Sequence, residues 1–405
     1  MTILQSLITR HIPWLKSSNI SATGGNSIID SDTYRFHVFT GPGTFNVTSA
    51  PNIATVSWIV VAGGGGGGSG GVIAPYGYCG GGGGAGGMRI GTLPIKSGPF
   101  SSPPSPTGPW SYSILVGAGG VGGIDGVPTP PVPAIPPTTP PTSYGTNGYG
   151  APGTNSSFDI RVPPGPPTAP FFITALGGGG GSSRYAAKNF GDANYSYYTG
   201  RNGGSGAGIV RFITPETYQP VASGGIGNFP THPYNDYGIQ NPGGPQGTPG
   251  QGWSSITIAT SPTVTFGSGG GGSNPISSYP MNIPSGTSPS GASYYGKGGD
   301  GRALAIPGFT PANGYGTSGP IPGAVYFAGG GSGGVRPPWN GVPLNVEGAP
   351  GAFGGGGGAS INANPASPGI VNTGGGGAGA GGTNSGLQGG AGAPGIVIIY
   401  YKYDA

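Results

Sequence analysis

The chain has 405 residues, of which 96 are glycine and 47 proline, with only 6% charged residues and a formal net charge of +4. Basic side chains this thinly spread do not make the concentrated face that a nucleic-acid binder needs, and a lone cysteine, Cys79, excludes an internal disulfide and a cysteine-based metal site. Glycine and proline at this density ordinarily signal disorder or a fibrous lattice, but disordered chains stay open through high charge and low hydrophobicity; with 34% hydrophobic residues, packed glycine is expected instead.

Residues 1–33 are expected to be an N-terminal docking segment. Ile3, Leu4, Leu7 and Ile8 fall at helical spacing before Pro13 stops the pattern. A short helix follows from this, either packed on its own domain or docked on a partner, with these four residues as the partner-docking candidates. Gln5, Ser6, Thr9 and Arg10 break the apolar run, so it does not read as a secretory signal. No segment approaches the roughly 20 apolar residues of a membrane-spanning helix, and no membrane insertion is expected.

Residues 34–62 read as a β-module: YRFHVFT alternates, GPG turns, TFNVT continues and ATVSWIVVA makes a more buried strand. From residue 63 to 405 the chain reads as a glycine-rich domain, in which glycine-dense runs alternate with long excursions rich in proline, tyrosine, serine and asparagine. The junction WIVVAGGGGGG at 58–68 returns as SILVGAGGVGG at 113–123, FITALGGGGG at 172–181 and VYFAGGGSGG at 325–334. A flexible tether has no reason to recur in register with strands, so the runs read as repeated architectural units. Two further strands follow runs, GIVRFI at 208–213 and GIVIIYYKY at 395–403, the last returning to the sheet system entered at 58–62. The proline-dense excursion 127–142 reads as a stiff surface loop, with a PxxP-type ligand as the other reading.

Packed glycine has a physical form. Polyproline-II geometry turns every three residues and directs its backbone donors and acceptors outward, so side-by-side helices can bond in several directions if no Cβ intervenes. Ordering costs about 1 to 2 kcal/mol per residue. A backbone hydrogen bond returns about 0.5 to 1.5 kcal/mol, and a weak C–H···O bond from a glycine α-hydrogen about 0.5 to 1 more, so a single helix fails and a bundle can hold. The expected fold is mostly β and irregular: small β-strand modules plus a bundle of polyglycine-II helices with long surface loops and almost no α-helix. Ser69, Val121, Ala378 and Ala380 are expected to face outward or toward the sheet. If the helices alternate in direction, the excursions 88–116, 182–202 and 273–297 emerge together at one end.

Catalytic patterns are missing. His11, His37 and His232 lie far apart, the ten carboxylates show no metal-ligand spacing, and GASYYGKG at 291–298 ends in glycine where a phosphate-binding loop needs a hydroxyl. Asp30 and Asp32 read as turn formers. Neither an enzyme nor a bound cofactor or metal is expected.

The succession YRFHVFTGPGTFNVTSAPNIATVSWIVVAGGGGGG, YSILVGAGGVGG, GTNSSFDI with ITALGGGGG, and GGAGAPGIVIIYYKY resembles the glycine-rich domain of bacteriophage tail and fibre proteins, over most of 34–403. The architecture is similar to the adhesins at the tips of T-even-type long tail fibres, in which polyglycine-II helices form a sandwich and loops at one end contact the host. The resemblance implies a virion structural protein, a tail-fibre or tail-tip component made in the host cytoplasm and released by lysis. Its implied partners are other tail subunits, including copies of itself in a trimer, and a host receptor that is a glycan or an outer-membrane protein. The receptor-contact candidates are Tyr185, Tyr195, Tyr197, Tyr198, Arg201, Tyr279, Tyr294, Tyr295 and Lys297, because tyrosine gives large, rigid, amphipathic contact area. A purely architectural fibre or decoration protein, and an ice-binding surface coat, are the other readings.

Overall fold

A computed structural model of the protein describes residues 20–50, 54–73, 76–95, 110–124, 148–159, 172–183, 203, 205, 265–266, 270, 272, 297–336, 351–360, 365–382 and 387–403. Among them are strands β1 (Ser21–Thr23), β2 (Ser27–Asp30), β3 (Tyr34–Phe39), β4 (Gly43–Ser49), β5 (Ala54–Val61), β6 (Gly71–Ile73), β7 (Tyr76–Tyr78), β8 (Met88–Ile95), β9 (Trp110–Leu115), β10 (Ser156–Asp159), β11 (Phe172–Ala175), β12 (Thr265–Phe266), β13 (Arg302–Leu304), β14 (Val325–Phe327), β15 (Val335–Arg336) and β16 (Ile396–Lys402). Helix is confined, among the described residues, to one 3-10 turn at Pro311–Asn313. The mostly β and irregular character expected from composition is what the chain adopts.

Two five-stranded antiparallel sheets form the base. One runs β1-β4-β9-β10-β11 and the other β2-β3-β16-β5-β8. The GPG turn at 41–43 therefore carries β3 and β4 into different sheets. Residues 21–30, expected within a separate docking segment, supply a strand to each. Phe45, Val47, Tyr112, Ile114, Phe158 and Ile173 of the first sheet are buried against Phe39, Val56, Trp58, Val60, Val397, Ile399 and Tyr401 of the second. The opposite face of the second sheet, with Phe36, Val38, Ile59, Val61, Ile396 and Ile398, packs under Ile306, Phe309, Val325 and Phe327. Strands β5 and β16 are thus covered on both faces, which is why WIVV and IVII run apolar without alternation. As expected, β16 rejoins the strand that opens the first glycine run, pairing with β5 on one side and β3 on the other.

The glycine runs stand on this base. Along residues 63–70 the N–H donors take three partners in rotation: Gly63, Gly66 and Ser69 donate to Thr154, Ala151 and Gly148; Gly64, Gly67 and Gly70 to Ala393, Gly390 and Leu387; Gly65 and Gly68 to Gly84 and Gly81. The carbonyls take three others: Gly63 and Gly66 accept from Gly178 and Gly181, Gly64 and Gly67 from Gly120 and Gly123, and Gly65 and Gly68 from Gly377 and Ala380. Partners repeat every third residue, as a chain with three residues per turn requires. The first run is surrounded by neighbours, giving hydrogen bonds to antiparallel runs and receiving them from parallel ones. Side chains are excluded because a Cβ built on Gly65 or Gly67 would overlap the carbonyl oxygen of Gly179 or Ala378. Backbone replaces side chain as the interior.

Two expectations for the non-glycine residues in the runs are corrected. Ala378 and Ala380 face neither solvent nor sheet but are buried with Ala366 and beside Leu387, where one small apolar side chain fills a gap between runs. Ser69 is also buried. Val121 does face outward, at 55% exposure.

Candidate functional site

The junctions of β5, β9 and β11 with the runs that follow them, and of β8, β10 and β16 with the runs that precede them, lie on the base, and those of β13 and β14 lie on the small sheet that these two strands form. Strands β5, β9, β11 and β14 lead directly into runs, while the runs at 80–87, 148–154, 298–301 and 389–395 lead into β8, β10, β13 and β16. Ser156 stitches two of these junctions, its buried Oγ donating to the Val61 carbonyl at 2.8 Å and accepting from the Gly117 N–H at 2.8 Å. Leaving the base, the runs at 63–70, 80–87, 148–154, 177–183, 374–382 and 387–395 share a common far pole, where Ser69 meets Gly148, Gly70 meets Leu387, Gly80 meets Ala380 and Gly81 meets Ser182.

A set of buried serines closes that pole. Ser69 Oγ and Ser183 Oγ are 2.9 Å apart, and a Cβ on Gly148 would come within 2.6 Å of Ser183 Oγ. Ser360 Oγ accepts the Gly381 N–H at 3.2 Å, and Ser332 Oγ accepts that of Gly298 at 3.3 Å. Where a neighbouring run stops, room appears for one Cβ, and the hydroxyl supplies the hydrogen bond that the missing backbone would have made. Ser183 precedes residues 184–202 and Ile124 precedes 125–147, so both excursions begin at this far pole; 125–147 also ends there, at Gly148, whereas 184–202 ends at Gly203, beside Gly177, Gly178 and Gly179 on the base side of that run.

The opposite pole holds the ends of the described chain. Ile20 precedes β1, whose Ser21 is opposite Ser49 at the end of β4 remote from the runs, and Tyr403 donates to the Thr33 carbonyl beyond the end of β16. Arg35 braces this pole through a two-pronged ion pair with Asp30, at 2.6 and 2.8 Å, while its guanidinium lies 3.8 Å from the centre of the Tyr403 ring. The Arg35 hydrogen bonds hold the Asp30 carboxyl below the ordinary carboxylate range.

The excursions expected to emerge together do not. Residues 88–95 form β8 in the base, whereas 182–202 begins at the far pole. The simple alternation fails because YGAPGT at 149–154, with only two glycines, is itself a run, its Ala151 and Gly150 bonded into the lattice. The signal for it in the sequence is the near-three spacing of Gly148, Gly150 and Gly153, residues whose added Cβ would strike a neighbour.

Of the receptor-contact candidates, Tyr185, Tyr195, Tyr197, Tyr198, Arg201, Tyr279, Tyr294 and Tyr295 lie outside the described residues, as do Ile3, Leu4, Leu7 and Ile8. Lys297 is described. Its Nζ is 3.1 Å from Asp300 Oδ1 and 5.3 Å from the centre of the Phe353 ring, so its charge is turned onto its own chain. No group of three or more potential metal-binding side chains occurs among the described residues.

A family model described as a glycine-rich domain matches residues 40–319. No curated protein matches the chain. The structural unit is larger than the matched span, since β16 and the runs from 329 onward complete both the base and the lattice.

Proposed function

The chain belongs to the glycine-rich domain family, and we propose that this member is a structural protein of a bacteriophage virion, a tail-fibre or tail-tip component that presents its far pole to a host surface. In this reading the runs are polyglycine-II helices, for which the rotation of partners every third residue is the support. The protein is made in the host cytoplasm, assembles with other tail subunits through the base, and performs no catalysis.

The observation that carries the proposal is the separation of the poles. Ile20 and Tyr403 sit at one end, while 125–147 leaves from and returns to the other and 184–202 sets out from it. A rigid lattice between them turns the molecule into a spacer with an attachment end and a presenting end. Residues on loops held by a rigid scaffold are free to vary and to bind without disturbing what carries them. The tyrosines of 184–202 supply the aromatic contact area for a glycan or an outer-membrane protein.

The test is a phage carrying a Gly-Ser segment in place of residues 184–202. Particles are expected to assemble with the protein on board and fail to adsorb to the host. Normal adsorption by such particles overturns the assignment of that loop. A second variant lacking residues 1–19 is expected to yield particles from which the protein is missing.

A further inference from the structure

The outward face of the first sheet holds a shallow groove of about 720 Å³ that the fold leaves unfilled. Its walls come from four adjacent strands, β4, β9, β10 and β11, with Pro42 of the turn before β4 and Asn155 just ahead of β10. Thr44 and Ser113 lie opposite each other on β4 and β9, and Ser157 of β10 lies opposite Leu115. Phe172 on β11 and Leu115 on β9 border the groove at 48% and 49% exposure. No lysine, arginine, aspartate or glutamate is among its lining residues.

Farther down the same face the polar groups satisfy one another: Ser111 Oγ donates to Asn46 Oδ1 at 2.6 Å, and Thr48 Oγ1 to Ser21 Oγ at 3.0 Å. Within the groove no such bond joins Thr44, Ser113 and Ser157. Asn155, at the groove's upper end, has its Oδ1 committed to the Gly177 N–H at 2.9 Å, which fixes the amide and leaves its NH₂ as an oriented donor. The lining therefore combines a half-exposed aromatic ring and an aliphatic side chain with hydroxyls and an amide, without a formal charge.

This chemistry selects its ligand. An anion or a cation would leave its hydration shell without meeting a counter-charge. A purely apolar segment would cover the hydroxyls without bonding them, which is unfavourable for buried polar groups. A pyranose has an apolar C–H face that packs on an aromatic ring and an equatorial rim of hydroxyls that both give and accept hydrogen bonds. We propose that this groove is a binding subsite for a neutral saccharide, with Phe172 as the stacking platform and Thr44, Ser113, Asn155 and Ser157 bonding its hydroxyls. The site lies on the flank of the base, away from the far pole, and holds independently of the virion role.

The test uses the full chain and three neutral probes, maltohexaose, cellohexaose and chitohexaose, titrated by calorimetry and saturation-transfer NMR, with a heparin hexasaccharide as an anionic counter-probe. At least one neutral probe is expected to bind with Kd on the order of 1 mM or tighter. Phe172→Ala should weaken it at least about tenfold, Phe172→Trp should preserve it, and Ser157→Asp should abolish it by placing a charge in the groove. Val121→Ser, on a run outside the groove, should leave it unchanged. Phe172 and Ser157 contribute no side chain to the core, so each variant is expected to melt as the parent does. No binding by any neutral probe, equal binding by Phe172→Ala, or preferential binding of the heparin fragment overturns the proposal.

Discussion

His37 Nε2 lies 3.2 Å from the hydroxyl of Tyr401, a residue 364 positions away in sequence, in the buried space between the two base sheets. The other ring nitrogen, Nδ1, is 2.7 Å from the Gly24 carbonyl, which can only accept. Nδ1 therefore carries the proton, and Nε2 receives the Tyr401 hydroxyl. The imidazole sits between the Phe45 ring edge and the stacked Tyr401 ring, at 5.1 and 5.6 Å, and burial pushes its pKa below the ordinary 6.5.

Acid should loosen the base through this residue. A histidine whose pKa is lowered by folding takes up its proton more readily when unfolded, so stability is retained above the unfolded value of about 6.5 and falls as the pH drops below it. Melting temperatures of the parent are expected to fall as the pH drops below about 6.5. The decline should be visibly shallower in His37→Phe, whatever that variant's stability at neutral pH. Superimposable pH profiles would remove His37 as the cause.

Tyr401→Phe tests the same pair from the other side. It leaves a buried ring nitrogen without its donor, at an expected loss of about 1 to 3 kcal/mol. Denaturant unfolding at pH 8, where the imidazole is neutral in both states, reads the loss without interference from titration.

Within the runs, Gly65→Ala or Gly67→Ala forces a methyl group into a neighbouring carbonyl. The lattice must part or the chain must leave it, and the expected loss exceeds about 3 kcal/mol, beyond the range of ordinary substitutions. Gly41→Ala has nothing within 4 Å of the added Cβ and should change stability by less than about 0.5 kcal/mol. Comparable melting of all three variants would show that the runs are not close-packed.

Amide hydrogen exchange reads the lattice directly. Each N–H from Gly63 to Gly70 donates to another backbone carbonyl, so these amides should exchange only through opening of the lattice, as slowly as those of β16. Rapid exchange of the 63–70 amides beside a protected β16 would mean that the runs are solvated.

Much of this is legible in the sequence, and for identifiable reasons. The WIVVA and GIVIIYY strands announce themselves because burial on both faces leaves a continuous apolar signal. Repetition of the strand-to-glycine junction exposes the runs as structural units. The run at 148–154 escapes because Tyr149, Ala151 and Pro152 occupy its outward-tolerant positions, so glycine density, unlike glycine phase, falls too low to notice. Strands β1 and β2 escape because three and four residues carry too little periodicity. The groove on the first sheet is invisible for a different reason: Thr44, Ser113, Ser157 and Phe172 are scattered along the chain and are gathered only by strand pairing.

A lattice whose partners recur every third residue imposes an arithmetic on insertions and deletions. Adding or removing three glycines from a run shifts its tip by one turn and returns every remaining donor to the same azimuth, whereas one or two rotate all the distal groups by about 120 or 240 degrees away from their neighbours. The molecule can thus grow or shorten in whole turns while the sheets beneath keep their register. Its reach is a quantity that mutation can adjust in discrete steps.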